Sequence, residues 1–409
     1  MVICYVPALD LRWIDASACP YVSSLFDDFP SIELTNFPTV DNVPSMLTGV
    51  PPHEHGVWGP RFRAAPTEVG WSTRIVDSLP DLVTTTAQCA VHALRRPVEL
   101  ATVPPRRRRR YELMRFKFIK YGADNLVTQP IQGYPSFFSA AGSDRCRFRF
   151  ETSLDGLDRA LSELGDASVA IDMIEVHGLD EMLHWRIDDR AEVLAHLSRV
   201  DEFVRALHQK CLRSNRRFLL LSDHGMEPVE RWIDMQAVIG LLRGLRDEAD
   251  FFIENTRATF WLHTERARQQ VLDALAGLEH GTIVGWRDLA QYGVRFADAS
   301  YGDVYFYADA GSTLFPNDFY HPLANLVLSV TDRAQRARYR HPRHRGDHGY
   351  FSDNACERGY LLVADDALEV ACERASITDV APTILDLVGL PAAPTMRGRP
   401  AFRRGRGVS

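Results

Sequence analysis

The sequence predicts an α/β fold, a mostly parallel sheet covered by helices on both faces, with a smaller α+β insertion. Three observations predict it: short apolar runs rich in Val, Ile and Leu, helix-period segments between them, and one long stretch that follows neither rhythm. The first run, 2–9 (VICYVPAL), is too short for a buried helix and the right length for a buried strand. Residues 99–150 read as irregular and contain five consecutive arginines at 106–110. A helical period at 153–164 then leads to a strand at 168–176 (SVAIDMIEV), a long helix at 190–212 and a strand at 217–222 (RFLLLS). Alternation of this kind implies a largely parallel sheet, buried on both faces. The stretch 226–345 differs, with strand-like 251–262 (FFIENTRATFWL), a helix at 264–277 and the aromatic run Val304-Tyr305-Phe306-Tyr307. Core-like chain resumes with a strand at 359–364 (GYLLVA) and a helix at 377–388, opened by Thr378-Asp379 and stopped by Gly389. The expected organisation is core at 1–225, an insertion acting as a lid at 226–345, and core again at 346–409.

Composition narrows the function classes. With 409 residues, 45% hydrophobic and 25% charged, the chain is globular rather than disordered or fibrous. A formal net charge of −7, from 47 basic and 54 acidic residues, does not mark nucleic acid or an anionic membrane as a partner of the whole surface. Lysine occurs only at 117, 120 and 210, so lysine chemistry has few candidates. Seven scattered cysteines with no CxxC pair argue against both a disulfide framework and a thiolate zinc site. The first residues lack a basic segment followed by a long apolar one, and no run approaches about 18 apolar residues. A cytoplasmic protein without signal peptide or membrane span is the expectation.

Functional residues of doubly wound sheets collect beyond the carboxyl ends of the strands. Metal-ligand residue types sit there: Asp10 after the first strand, Asp180 and His184 after the second, and Asp223-His224 directly after the third. A fourth group, Gly346-Asp347-His348-Gly349-Tyr350, precedes the strand at 359. Imidazole and carboxylate donors together suit borderline divalent ions such as Zn²⁺ and leave positions open for substrate. Two such ions about 4 Å apart could clamp a phosphoryl group between attacking and leaving oxygens. Singly, each motif is weak, since an Asp-His pair arises about once by chance in a chain this long and a lone His is more often structural. Their joint placement at strand ends is what carries weight.

The nucleophile candidate is Thr39, in Phe37-Pro38-Thr39-Val40-Asp41-Asn42. It is expected to cap a short helix, where free N–H groups and the helix dipole attract phosphate oxygens. Metal coordination would then lower its hydroxyl pKa. The bland alternative is that Thr39 is only an N-cap.

Taken together, the motifs resemble the alkaline phosphatase superfamily, most closely its type I phosphodiesterase/nucleotide pyrophosphatase branch. The matching residues are Thr39, ten residues before the Gly of Thr48-Gly49, then His55-Gly56, Asp180 to His184, Asp223-His224-Gly225-Met226 and the run 346–350. The tail Ile377-Thr378-Asp379-Val380-Ala381-Pro382-Thr383 with Gly389 also looks like the last helix of these enzymes. The resemblance implies an α/β/α sandwich and two divalent metal ions, zinc first, with manganese or iron as substitutes. It implies one ion on Asp180, His184 and His348, and the other on Asp10, Asp223, His224 and the Thr39 oxygen. Thr39 would attack phosphorus and form a covalent phosphothreonine that water hydrolyses. The partner would be a small phosphorylated molecule, a nucleotide among the candidates, with neither nucleic acid nor membrane involved.

One position departs from the branch. An Asn that donates to a phosphoryl oxygen is expected where the chain has Pro60, and proline has no such donor. Arg61 and Arg63 are the nearest replacements, alongside Asn42 as a substrate-binding candidate. A fixed positive charge there favours a dianionic monoester, so a biosynthetic phosphomonoesterase stays open beside diester or pyrophosphate hydrolysis. A phosphonate hydrolase and a metal-binding protein without catalysis follow. A nicotinamide-dinucleotide protein is disfavoured, because no GxGxxG follows the first strand. Asp41, Asn42, Glu175 and Asp347 could orient the ligands or simply make turns and caps. His177 reads as a loop histidine. The arginine run could steer anions or be a solvated loop, and Trp58, Phe137, Phe138, Tyr305 and Phe306 could stack on a base but mostly read as core.

Overall fold

A computed structural model describes residues 1–59, 61–63, 111–113, 127–164, 169–245, 248–318 and 341–405, with residues 83, 320 and 326. Among these, the main sheet is built from β1 (Val2–Tyr5), β2 (Ser31–Thr35), β3 (Cys146–Glu151), β4 (Ile171–Val176), β5 (Phe218–Ser222), β6 (Gly359–Ala364) and β7 (Ala375–Ser376). Their spatial order is β7-β2-β6-β5-β1-β4-β3. β1 pairs in parallel with β4 and β5, β3 with β4, and β7 with β2. β6 alone runs the other way, antiparallel to both neighbours. The mostly parallel sheet expected from the apolar runs is therefore present, with one reversed strand.

Each central strand divides its side chains between two cores, as the period of two demands. Ile3, Tyr5, Leu219, Leu221, Leu361 and Val363 join one cluster, while Val2, Cys4, Leu220, Tyr360 and Leu362 join the other. Helix α4 (Arg190–Arg213) covers the second face with Val193, Leu197, Val200, Val204, Leu207 and Cys211, spaced as one helical stripe. Helices α2 (Val43–Thr48) and α5 (Val380–Leu387) cover the first. The result is an α/β/α sandwich. Residues 190–212 and 153–164 were expected as helices and are found as Arg190–Arg213 and Leu154–Ser162.

Two expectations are corrected. The stretch 251–262 is not one strand: Ala249–Ile253 and Arg257–Leu262 pair antiparallel across a tight turn at Glu254-Asn255-Thr256. Region 99–150 is not wholly irregular, because it ends in β3, whose CRFRFE alternation is that of a partly buried edge strand. The hairpin belongs to a four-stranded antiparallel sheet, ordered Ala249–Ile253, Arg257–Leu262, Val304–Ala308, Gly281–Gly285. Helices Gln236–Gly244 and Glu265–Ala276 pack on one face of this cap sheet through Val238, Leu242, Val271, Phe260 and Phe306. The opposite face sends Tyr305 and Tyr307 into the cluster that contains Phe37 and Trp58. No helix among the described residues is long and apolar enough to cross a membrane.

Candidate metal centre

The strand directions explain how the proposed ligands meet. Asp10 follows β1, Thr39 follows β2, α3 (Gly178–Arg186) carries Asp180 and His184 after β4, and Asp223-His224 follow β5. Because β6 is reversed, residues that precede it, Asp347 and His348, arrive at the same edge of the sheet. Asp10, Thr39, Asp180, Asp223 and His224 are all buried there.

Asp180 and His184 share one face of α3 through their four-residue spacing. Asp180 Oδ1 lies 3.8 Å from His184 Nε2 and 4.0 Å from His348 Nε2. The His224 and His348 rings stack at 3.7 Å, and His224 Nε2 is 3.6 Å from Asp223 Oδ2. Ligand atoms of Asp180, His224 and His348 all lie within 4.8 Å of one another. These separations are too long for hydrogen bonds, yet close to the roughly 3.5 Å between two ligands on one tetrahedral ion. Asp180 Oδ1 and Asp223 Oδ1 are buried without a hydrogen bond among the described residues. A buried, unpaired carboxylate oxygen is costly unless a cation meets it, so the donor set fits a divalent ion.

The protonation states agree. Burial opposes the charge on Asp180, but His184, His348 and His224 around it outweigh that and hold its carboxyl well below the usual range. Burial pushes His348 well down, helped by His224, and pushes His184 down against the pull of Asp180. Both imidazoles thus give up a proton more readily than a free imidazole, which frees a lone pair for a metal. His224 goes the other way: burial lowers it, but Asp223 and Asp180 together raise it. His184 Nδ1 donates to Gly346 O at 2.9 Å and His224 Nδ1 to Gly225 O at 2.7 Å, which turns each Nε2 toward the carboxylates.

Asp10 is placed differently from its partners. Its Oδ2 accepts from Arg12 Nε at 2.8 Å and Nη2 at 2.5 Å, and its Oδ1 from the Arg12 backbone at 2.8 Å. It abuts Gly225, where an added Cβ would stand 2.1 Å from Asp10 Oδ2. Arg12 is a neighbour that the spacing of ligand types does not reveal.

Thr39 is not the helix cap that the sequence suggested. Helix α2 begins at Val43, with Asn42 in the cap position, and Asp41 Oδ1 accepts from Val43 N at 3.2 Å. The Thr39 hydroxyl instead donates to Trp58 O at 3.1 Å. Asn42 shapes the Thr39 loop: its Oδ1 accepts from Phe37 N, and its Nδ2 donates to Phe37 O and Thr39 O, at 3.0 to 3.2 Å. Arg61 and Arg63 lie in a short strand paired with Tyr111–Leu113. Their side chains, Pro60 and the 106–110 run lie outside the described residues.

Of the residues expected to orient ligands, Asp347 accepts from Asn255 Nδ2 at 3.0 Å and lies 2.6 Å from His344 Nδ1 and 3.7 Å from His184 Nδ1. His177 is the loop histidine expected, in the turn between β4 and α3, with Nδ1 3.1 Å from Glu175 Oε1 and Nε2 3.9 Å from Asp180 Oδ2. Glu357 escaped the sequence reading. Its Oε1 accepts the N–H groups of Gly349 at 2.7 Å and Tyr350 at 2.9 Å, pinning the His348 loop. Burial pushes its carboxyl up to about 7, against the pull of His224 and those two N–H groups. Trp58, Phe137, Phe138, Tyr305 and Phe306 are all core.

Residues 29–351 match the sequence model of a family described as type I phosphodiesterase/nucleotide pyrophosphatase. Among solved structures, the chain is similar to human ectonucleotide pyrophosphatase/phosphodiesterase 5, with a TM-score of 0.62, 13% identity and 96% of each chain covered. The murine protein of that name gives 0.63 at 13% identity, again covering 96% of each chain. An inactive threonine-to-alanine form of it in complex with AMP gives 0.63 at 14% identity with the same coverage. No curated protein matches in sequence.

Proposed function

Because the chain belongs to the type I phosphodiesterase/nucleotide pyrophosphatase family of the alkaline phosphatase superfamily, and is a hydrolase of phosphoric ester bonds, we propose that it works through Thr39 beside two divalent ions. The observation that carries this reading is the convergence of Asp180, His224 and His348 with buried carboxylate oxygens that lack hydrogen bonds among the described residues. Asp180, His184 and His348 would hold one ion, and Asp223, His224 and the Thr39 oxygen the other. Asp10 would join the second group by giving up part of its pairing with Arg12. Imidazole and carboxylate donors suit zinc first, with manganese or iron competing for the same set. What bound ions supply is a lowered pKa at the Thr39 hydroxyl and neutralised charge on the phosphoryl oxygens.

In the first half-reaction the Thr39 Oγ–P bond forms as the bond to the leaving group breaks. Water then cleaves the phosphothreonine and restores the hydroxyl. Asn42 holds the Thr39 loop through its three bonds, and Trp58 O sets the direction of the hydroxyl proton. The first reading of the substrate is a small phosphodiester or pyrophosphate, and the second is a phosphomonoester. A nucleotide fits, since a relative of the same fold is known in complex with AMP.

The test is nitrophenol release from bis(4-nitrophenyl) phosphate and 4-nitrophenyl phosphate by zinc-loaded protein, with an acid quench and intact mass measurement. Wild type is expected to turn over substrate and carry a phosphoryl adduct that Thr39→Ala lacks. Equal turnover by Thr39→Ala would defeat the nucleophile assignment.

A further inference from the structure

The cap sheet places an arginine beside the nucleophile. Along Arg257–Leu262, Ala258, Phe260 and Leu262 enter the cap's own core, so by the period of two Arg257 and Thr259 take the other face. Tyr307 lies directly across from Arg257 in register and shares that face. The Tyr307 hydroxyl donates to Pro38 O at 2.8 Å, and Arg257 Nη2 donates to Trp58 O at 2.8 Å. Trp58 O is also the acceptor of the Thr39 hydroxyl, so nucleophile and guanidinium share one carbonyl. Gly59 admits this approach: its φ of 152° is one that other residues rarely adopt, and a Cβ there would stand 2.6 Å from Arg257 Nη2.

Arginine has five N–H donors in a planar fork. Nε and Nη2 bond Glu254 Oε2 at 3.1 and 2.8 Å, and Nη2 also bonds Trp58 O. The two protons on Nη1 remain, and Nη1 is buried without a hydrogen bond among the described residues, in a side chain only 3% exposed. The Tyr307 oxygen beside the guanidinium could accept at most one of them. A buried cation whose fork is held by three bonds, one of them to the carbonyl that the Thr39 hydroxyl also bonds, and whose Nη1 donors are left over, is preorganised for an anionic oxygen.

We infer that Arg257 donates through Nη1 to a nonbridging phosphoryl oxygen of the substrate as Thr39 attacks, an inference that rests on Thr39 being the nucleophile. Its charge favours a dianionic terminal phosphate over a monoanionic diester. The role that sequence proximity suggested for Arg61 or Arg63 thereby passes to a residue about two hundred positions away.

The test uses zinc-loaded protein carrying Glu254→Gln, so that removing the cation strands no buried carboxylate. On that background, Arg257→Ala is expected to lose about 100-fold in kcat/KM on 4-nitrophenyl phosphate, and less on bis(4-nitrophenyl) phosphate. Added guanidinium is expected to restore part of the loss, with bound zinc and melting temperature unchanged. Arg257→Lys keeps the charge but not the fork, and is expected to fall between, so it decides the question should the alanine variant not fold. Values within about threefold of the parent on both substrates, or an equal loss on both without guanidinium rescue, would overturn the inference. Thr39→Ala separates the two readings. If it is dead while the Arg257 variants match their parent, only the arginine assignment fails; if it retains turnover, the nucleophile reading fails first.

Discussion

The edge of the main sheet and the inner face of the cap both supply polar groups to one place, by opposite means. In the main sheet, β1, β4 and β5 are buried throughout, and the candidate ligand side chains Asp10, Asp180, His184, Asp223 and His224 come after the strands end. In the cap, Arg257 sits within a strand buried throughout and is turned toward the Thr39 side by its pleat alone. Strand ends release backbone into loops that converge from several directions, which suits a cluster of metal ligands. A pleated face offers a rigid side chain at a set distance, which suits a single positioned cation. The two regions should therefore fail differently when altered.

The largest effect is expected at the strand ends. Asp180→Ala should remove bound zinc and cost several kcal/mol in the transition state, on the order of a thousandfold in kcat/KM. Metal content measured beside activity sharpens the contrast, because Arg257 variants should keep their zinc. Loss of zinc from an Arg257 variant would erase the division between the two regions.

A smaller effect is expected where the regions touch. Asn255 of the cap hairpin donates to Asp347, which leans on His184 from the core edge. Asp347→Asn should weaken zinc binding by about tenfold, the low end for groups around a ligating histidine, because the His184 Nδ1 proton goes to Gly346 O and Asp347 acts from 3.7 Å. A zinc titration giving wild-type affinity would show that the hairpin does not steer the ligand.

The smallest concerns pH. Glu357 is raised from 4.5 to about 7 by burial, so the folded chain binds its proton more tightly than the unfolded one. The stability this contributes is full below pH 4.5 and is lost as pH rises through about 7. In zinc-free protein, Glu357→Gln should flatten the fall in melting temperature across that window. A slope identical to wild type would mean that Glu357 stays ionised in the fold.

Legibility followed burial. The runs 2–9, 168–176, 217–222 and 359–364 could be read because strands buried on both faces must be apolar at every position. β2 and β3 went unread, since near the sheet edges SIELT and CRFRFE mix polar and apolar residues over a few positions. The turn at Glu254-Asn255-Thr256 carried an Asn signal, but the apolar residues flanking it made 251–262 look continuous. Thr39 was singled out by its motif and misplaced by local reasoning, because helix α2 starts three residues later than a cap at Thr39 would require.

The sequence by itself determined the sandwich and the candidate ligand types, since periodicity and residue chemistry are local properties of the chain. Only the tertiary structure decided that β6 runs backward, that Asp10 pairs with Arg12, and that Arg257 meets the carbonyl bound by Thr39. Those facts depend on strand direction and on contacts between residues far apart in the chain. Neither leaves a periodic trace, because the side chains involved are placed by packing rather than by their neighbours in sequence.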